Sequence, residues 1–324
     1  MVGSYFHWLS KVKPALLSAI EGFDTTIAAA RRVGVRFDDA RPPAAHRIEQ
    51  DGGFELNFID WGDESGEKPA IIFIHGFLQQ ARTWDFTCLA LRSNFRCISL
   101  DLRGHGDSGR PMGPDYTTHH YQSDLRRFIR HMSEEMRVER FGLCGLSLGG
   151  HQSYIYTSEH PDVVDAIVVV DVAPETNRQA SRGINRYISA LPRGGPFEEL
   201  VEKVAKMSPM RNREAVRGSL LRATRVTEDG GWEWKHDPRL LDHHRASFTS
   251  EDYWAALSKV SVPALFVLGQ NSKLVSSDTV RRMVETVPGS SATYVPKASH
   301  RVPGDNPIGF IRAVSPFLKR YVVG

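Results

Sequence analysis

The 324-residue chain predicts an α/β fold: a mostly parallel sheet with helices on both faces and a helical insertion. Two observations carry this. Short, wholly apolar runs recur at 71–74, 97–100, 141–144, 166–170 and 264–268, with a shorter one at 293–295. Helix-like stretches such as 121–132 and 279–287 separate them. Apolar runs without alternation suit strands buried on both faces, and strands alternating with helices pair in parallel. The interval from 174 to about 255 holds helical patterns and no evident strand, which is too long for a simple crossover.

In chain order, residues 1–45 form the first unit. Leu9, Val12, Leu16, Ile20, Phe23 and Ile27 recur at helical spacing, predicting one amphipathic helix of about six turns. It can pack on the main domain, pair with a second copy as a homodimer, or lie on a membrane surface. Met1 to Ser10 carries no positive charge, so no secretory leader is expected. Arg41-Pro42-Pro43-Ala44-Ala45 reads as a linker. Residues 46–173 and 256–324 form the core, opening with an alternating strand at 54–60. Residues 174–255 form a helical cap, punctuated by Arg193-Gly194-Gly195-Pro196 and Asp229-Gly230-Gly231. Its Trp232, Trp234, Phe248, Tyr253 and Trp254 either line a pocket or pack the insertion.

Composition excludes several classes. A chain 41% hydrophobic, 24% charged and 10% aromatic is neither disordered, collagenous nor a disulfide scaffold. A net charge of +3 is weak, and Arg126, Arg127 and Arg130 read as a solvated helix face rather than a nucleic-acid patch. Cys88, Cys97 and Cys144 lack framework spacing, which predicts free thiols and a cytoplasmic setting. Neither Cys-x-x-Cys nor His-x-x-x-His occurs, so no metal is expected. No apolar run approaches the roughly 20 residues that span a bilayer.

Chemistry concentrates at three places. Gly145-Leu146-Ser147-Leu148-Gly149-Gly150 directly follows the strand ending at Cys144. A serine on a sharp turn from strand to helix stands exposed, and small neighbours two residues away let the chains pass closely. Ser147 is the candidate nucleophile. His75-Gly76-Phe77 follows the strand at 71–74, where a tight turn can aim the Phe77 N–H at the same sheet edge. With the N–H of Leu148 it would form an oxyanion hole, fixed donors meeting charge that appears only in the transition state. His300, between the last strand and the C-terminal helix near Asn306-Pro307, is placed to take the serine's proton.

Together with Asp101-Leu102-Arg103-Gly104-His105-Gly106-Asp107-Ser108, these motifs make the chain resemble the α/β-hydrolase family, over about residues 50–175 and 255–324. The resemblance implies an eight-stranded, mostly parallel sheet, a lid inserted after strand six, no cofactor, and a chiefly structural role for the turn from Asp101 to Ser108. The sequence departs from the family in its acid. The usual segment after strand seven reads Gly269-Gln270-Asn271-Ser272-Lys273, so Ser272 or Lys273 holds the acid's place. Neither balances an imidazolium. The family's other position for the acid is the end of strand six, where Asp171 stands. Asp171 is the acid this reading selects. Asp278, or a Ser–His pair without an acid, are the alternatives.

A serine at the elbow excludes the epoxide and halide chemistry of relatives with Asp there. The expected activity is hydrolysis of a small carboxylic ester or lactone through an acyl-enzyme. The alternative enzyme is a C–C bond hydrolase on a dienoate or diketone, whose carboxylate would meet Arg82, Arg186 or Arg193. The alternative of another class is a non-catalytic ligand receptor or scaffold.

Overall fold

The computed structural model describes residues 22–63, 66–113, 115–208, 211–243 and 248–323. Its first helix, α1 (Phe23–Val33), runs between Gly22 at φ 89° and Gly34 at φ 82°. Those left-handed positions favour glycine and close both helix ends. Phe23, Thr26, Ile27 and Ala30 form its buried stripe. The expected continuous helix through Ile27 is therefore corrected, because Gly22 is left-handed and α1 begins at Phe23. Leu9 to Ile20, with the homodimer and membrane roles assigned to them, lie outside the described residues.

The sheet begins with β1 (Ala44–Gln50) and β2 (Phe54–Asp60), an antiparallel pair. It continues through β3 (Ala70–Ile74), α2 (Asp85–Leu91), β4 (Arg96–Leu100), α3 (Thr118–Glu134), β5 (Phe141–Leu146), α4 (Leu148–Glu159) and β6 (Val164–Val170). The inserted segment carries α5 (Arg178–Ser189), α6 (Phe197–Met207), α7 (Arg213–Ala223), β7 (Thr224–Val226), β8 (Trp232–Trp234), α8 (Leu240–His243) and α9 (Ser250–Leu257). The chain then returns with β9 (Ala264–Gly269), α10 (Ser277–Thr286), β10 (Ser291–Val295), α11 (Val302–Asp305) and α12 (Pro307–Tyr321).

The eight strands lie in the order β1-β2-β4-β3-β5-β6-β9-β10, and β2 alone runs against its neighbours. Alternation within each strand separates two cores. In β5, Phe141 and Leu143 face α3 and α4, where Leu125, Phe128 and Tyr154 pack. Cys144 and Leu146 face the other way, against the cluster of Phe23, Leu89, Phe310 and Leu318 from α1, α2 and α12. Both faces of β5 and β6 are thus buried, which is why their sequences show no polar alternation. The outer face of α3 carries Arg126, Arg127 and Arg130 into solvent, where Arg126 pairs with Glu159 and Arg127 with Asp51.

Two expectations are corrected. The proposed linker at 41–45 runs into β1, an edge strand whose His46, Arg47 and Glu49 hide the apolar signal. The insertion is not wholly helical: β7 and β8 form a hairpin, Thr224 opposite Trp234. The insertion also has its own apolar cluster of Leu200, Val201, Val204, Val216, Leu220 and Trp232. Cys88, Cys97 and Cys144 are buried free thiols. Among the described residues no helix is long and apolar enough to cross a membrane.

Candidate active site

Ser147 joins β5 to α4 at φ 52° and ψ −113°. A side chain in that left-handed region costs of order 1–3 kcal/mol and persists only where the surroundings enforce it. Here they do. A Cβ on Gly145 would lie 2.2 Å from the Gly149 carbonyl oxygen, and one on Gly149 would lie 2.2 Å from that of Ile74. Both glycines of the motif are thus demanded by backbone passing backbone. The Ser147 N–H donates to Val170 O at 2.9 Å, fastening the turn to the end of β6.

The loop after β3 runs beside this turn. A Cβ on Gly76 would sit 3.4 Å from Ser147 Cβ. His75 anchors the loop: its Nδ1 faces Gly76 O at 2.8 Å, and its Nε2 accepts from the Leu102 N–H at 3.0 Å. Burial pushes the His75 imidazole down to about 4, so it is neutral at pH 7. Phe77 and Leu148 then reach the same cavity as Ser147. Leu148 is the first residue of α4, so its N–H has no partner within the helix.

The turn after β4 is held by Asp101. Its carboxylate accepts from Asn57 Nδ2 at 2.8 Å, Asp107 N at 2.9 Å and Ala81 N at 2.5 Å. Burial pushes this carboxyl up to about 6.

His300 follows β10 and precedes α11. The loop carrying it is tied to the loop after β9 by Gln270 N–H to Val295 O and Asn271 N–H to Ala298 O, at 2.9 and 2.8 Å. Gly269 permits the crossing, since a Cβ there would meet Ser299 O at 2.3 Å. Asp305 caps the turn by accepting from the Ser299 N–H at 3.0 Å. The result sets His300 Nδ1 2.8 Å from Asp171 Oδ2.

Asp171 is buried, just past β6, with φ 49°. Its Oδ1 accepts from Gly269 N–H at 2.9 Å, and its Oδ2 accepts from the Ser272 hydroxyl at 2.7 Å. Asp278 is not brought to His300: it is exposed on α10 and pairs with Arg281. Lys273 is exposed as well.

Ser147 and His300 line one cavity of about 910 Å³ between the sheet edge and the insertion. Trp234, Phe248 and Tyr253 line it too. Trp232 instead packs inside the insertion, and Trp254 lies beneath Arg282, 3.8 Å from its ring centre. Arg82, Arg186 and Arg193 are absent from this cavity's wall, which corrects their suggested contact with a substrate carboxylate. The arginines on the wall are Arg178 and Arg301.

His151 was missed in the sequence. It stands one turn beyond Ser147 and stacks on Tyr253, ring centres 4.1 Å apart. Its i+4 spacing from the serine was the available signal.

Comparison with known proteins fits this geometry. The family model for the α/β hydrolase fold matches residues 69–307. The chain belongs to the α/β-hydrolase family. It is an enzyme of that class. This α/β hydrolase is 29% identical over 265 residues to the sn-1-specific diacylglycerol lipase ABHD11 of Mus musculus, covering 79% of this chain and 83% of the lipase. It is 26% identical over 269 residues to an esterase of Mycobacterium tuberculosis, covering 80% and 85%. The crystal structure of E-2-(acetamidomethylene)succinate hydrolase superposes with a TM-score of 0.73 at 24% identity, over 86% of this chain and 99% of that one.

Proposed function

We propose that this α/β hydrolase cleaves a small carboxylic ester or lactone through an acyl-enzyme. The observation that carries the reading is the 2.8 Å contact of His300 Nδ1 with buried Asp171, at a cavity that Ser147 also lines. Ser147 Oγ attacks the carbonyl carbon while His300 Nε2 takes its proton. Asp171 holds the imidazole by its Nδ1–H and balances its charge. The N–H groups of Phe77 and Leu148 meet the oxyanion. Collapse expels the alcohol, which takes the proton from His300. A water deprotonated by the same ring then releases the acid and restores Ser147. The insertion acts as a cap that walls the site from water. Its Trp234, with Phe248 and Tyr253, fits an apolar acyl or alcohol part. The names of the lipase and esterase relatives point the same way.

A second reading, hydrolysis of a C–C bond beside a carbonyl, is favoured by Arg178 and Arg301 on the wall, which suit a carboxylated substrate. A fluorophosphonate probe tests the serine chemistry, with peptide mass spectrometry locating the label. Rapid labelling of Ser147, lost in Ser147→Ala and slowed in His300→Ala, is expected. No label on Ser147 in a folded sample would turn the reading to a ligand receptor. An ester panel beside a diketone panel then separates the two hydrolytic readings.

A further inference from the structure

A second cavity of about 460 Å³ adjoins the first between α1, α7 and the loop after His300. Leu78, Gln79, Ser219, Ala223 and Arg301 line both. On the insertion side this common boundary is built from the small side chains of Ser219 and Ala223. The second cavity is rich in arginine and poor in acids. Arg32 is matched by Glu214, and Arg217 by Glu198. Asp85 serves two guanidinium groups, Arg82 at 3.0 Å and Arg222 at 4.0 Å.

That leaves Arg211 and Arg301. The Arg211 Nη2 donates to Ala215 O at 3.1 Å, while its Nε and Nη1 are closed off from solvent and have no hydrogen-bond partner among the described residues. Buried donors without a partner cost about 1–3 kcal/mol each and call for an explanation. Burial, and the nearby charge of Arg301, push the Arg211 guanidinium down to about 9. Asp305 lies close enough to offset part of this, and that carboxylate is already engaged by Ser299. Arg301 is half-buried, and among the described residues its side chain carries neither an ion pair nor a hydrogen bond. It is the residue next to His300. Arg211 and Arg301 both line the second cavity, and a guanidinium group is a strong donor to the oxygens of a carboxylate or phosphate.

We propose that the substrate carries a carboxylate or phosphate at the end away from its scissile bond, received in the second cavity by Arg301 and Arg211. The proposal rests on the ester-hydrolase reading of Ser147 and names the substrate class that reading leaves open. The uncharged part of the substrate lies against Trp234 and Tyr253, and its anionic end crosses the boundary past Ser219 and Ala223.

The test uses the full chain and three 4-nitrophenyl acyl esters of matched length, ending in methyl, carboxylate or phosphate. The expected result is a kcat/KM for one anionic ester about tenfold or more above the methyl ester, the scale of one charge-assisted contact. In Arg301→Gln and in Arg211→Met that ratio should fall toward one. Which anionic ester is preferred distinguishes carboxylate from phosphate. Equal rates for all three esters, or a ratio unchanged in both variants, would overturn the proposal. Arg301 lies outside the insertion, so its variant serves where Arg211→Met fails to fold.

A calorimetric titration of Ser147→Ala with the intact esters needs no turnover. It separates failure of this proposal from failure of the hydrolase reading. Tighter binding of an anionic ester, lost when Arg301→Gln is added, supports the site. Equal binding of charged and uncharged esters rejects it, whatever the turnover result.

Discussion

The Ser272 hydroxyl donates a 2.7 Å hydrogen bond to Asp171 Oδ2, linking the loop after β9 to the end of β6. The same carboxylate oxygen lies 2.8 Å from His300 Nδ1. Ser272, which holds the acid's usual place in the family resemblance, and His300 therefore meet at one oxygen of Asp171.

This adjacency predicts an exchangeable acid. Asp171→Asn should lower kcat/KM on an activated ester by about 10⁴-fold, the scale seen when a triad acid is lost. Adding Ser272→Asp should restore activity about tenfold or more above the single variant, because a carboxylate then returns within reach of the same nitrogen. Steady-state kinetics on the three proteins decides it. An Asp171→Asn protein as active as the native chain would remove Asp171 from the mechanism.

Two glycine-to-alanine changes should have opposite signs. At Gly149 a Cβ meets the Ile74 carbonyl oxygen at 2.2 Å, so backbone must move. The expected loss is at or above the top of the usual overpacking range of about 1–3 kcal/mol, with Ser147 reactivity lost alongside. At Gly183, inside α5, a Cβ meets nothing within 4 Å. There alanine should stabilise by up to about 1 kcal/mol through helix propensity. Urea denaturation of both variants checks the pair, and a stable Gly149→Ala protein would refute the close-passage account of the elbow.

Trp234 should set the length of chain the cavity accepts. It lines the cavity while its indole N–H donates to Pro192 O at 2.8 Å, which fixes the ring. Trp234→Ala should move the optimum of an ester series toward longer acyl chains. Esters beyond the native optimum should gain about tenfold in kcat/KM relative to short ones, in line with about 1–3 kcal/mol per methylene accommodated. An unchanged profile would assign Trp234 to packing of the insertion alone.

The parts of the fold that could be read from the sequence were those where one physical demand dominates. Strands β5 and β6 are buried on both faces, so their apolar residues run on without alternation, broken only by Asp165 near the start of β6. The turn at Ser147 announces itself because Gly145 and Gly149 answer to backbone contacts that no other residue tolerates. Edge strand β1 escaped notice because Arg47 and Glu49 face water and Ala44, Ala45 and His46 are only half-buried. The hairpin of Thr224–Val226 with Trp232–Trp234 is too short for a period to register. Asp171 could be nominated from its place after β6, whereas the Ser272 bond to it depends on a pairing between segments 101 residues apart. The wall arginines escaped for the same reason: nothing local distinguishes Arg301 from Arg186.

Stability should fall as the pH is lowered from 7 toward 4, through histidines buried neutral. Burial pushes His75 down to about 4 and His236, which also faces the charge of Arg110, down to about 4, against an ordinary 6.5. The unfolded chain takes up a proton on each ring below pH 6.5, while the folded chain resists until near pH 4. The stability these rings contribute is thus complete above 6.5 and is lost progressively between 6.5 and 4. At pH 5.5 each ring should cost about 1.4 kcal/mol, one pH unit of linkage. His75→Asn cannot take up a proton, so it should remove about half of the decline shared by these two rings, even if it is less stable throughout because the contact to Leu102 is altered. Urea midpoints of both proteins at pH 7.0 and 5.5 measure this. An equal decline in the variant would show that His75 is not a source of acid sensitivity.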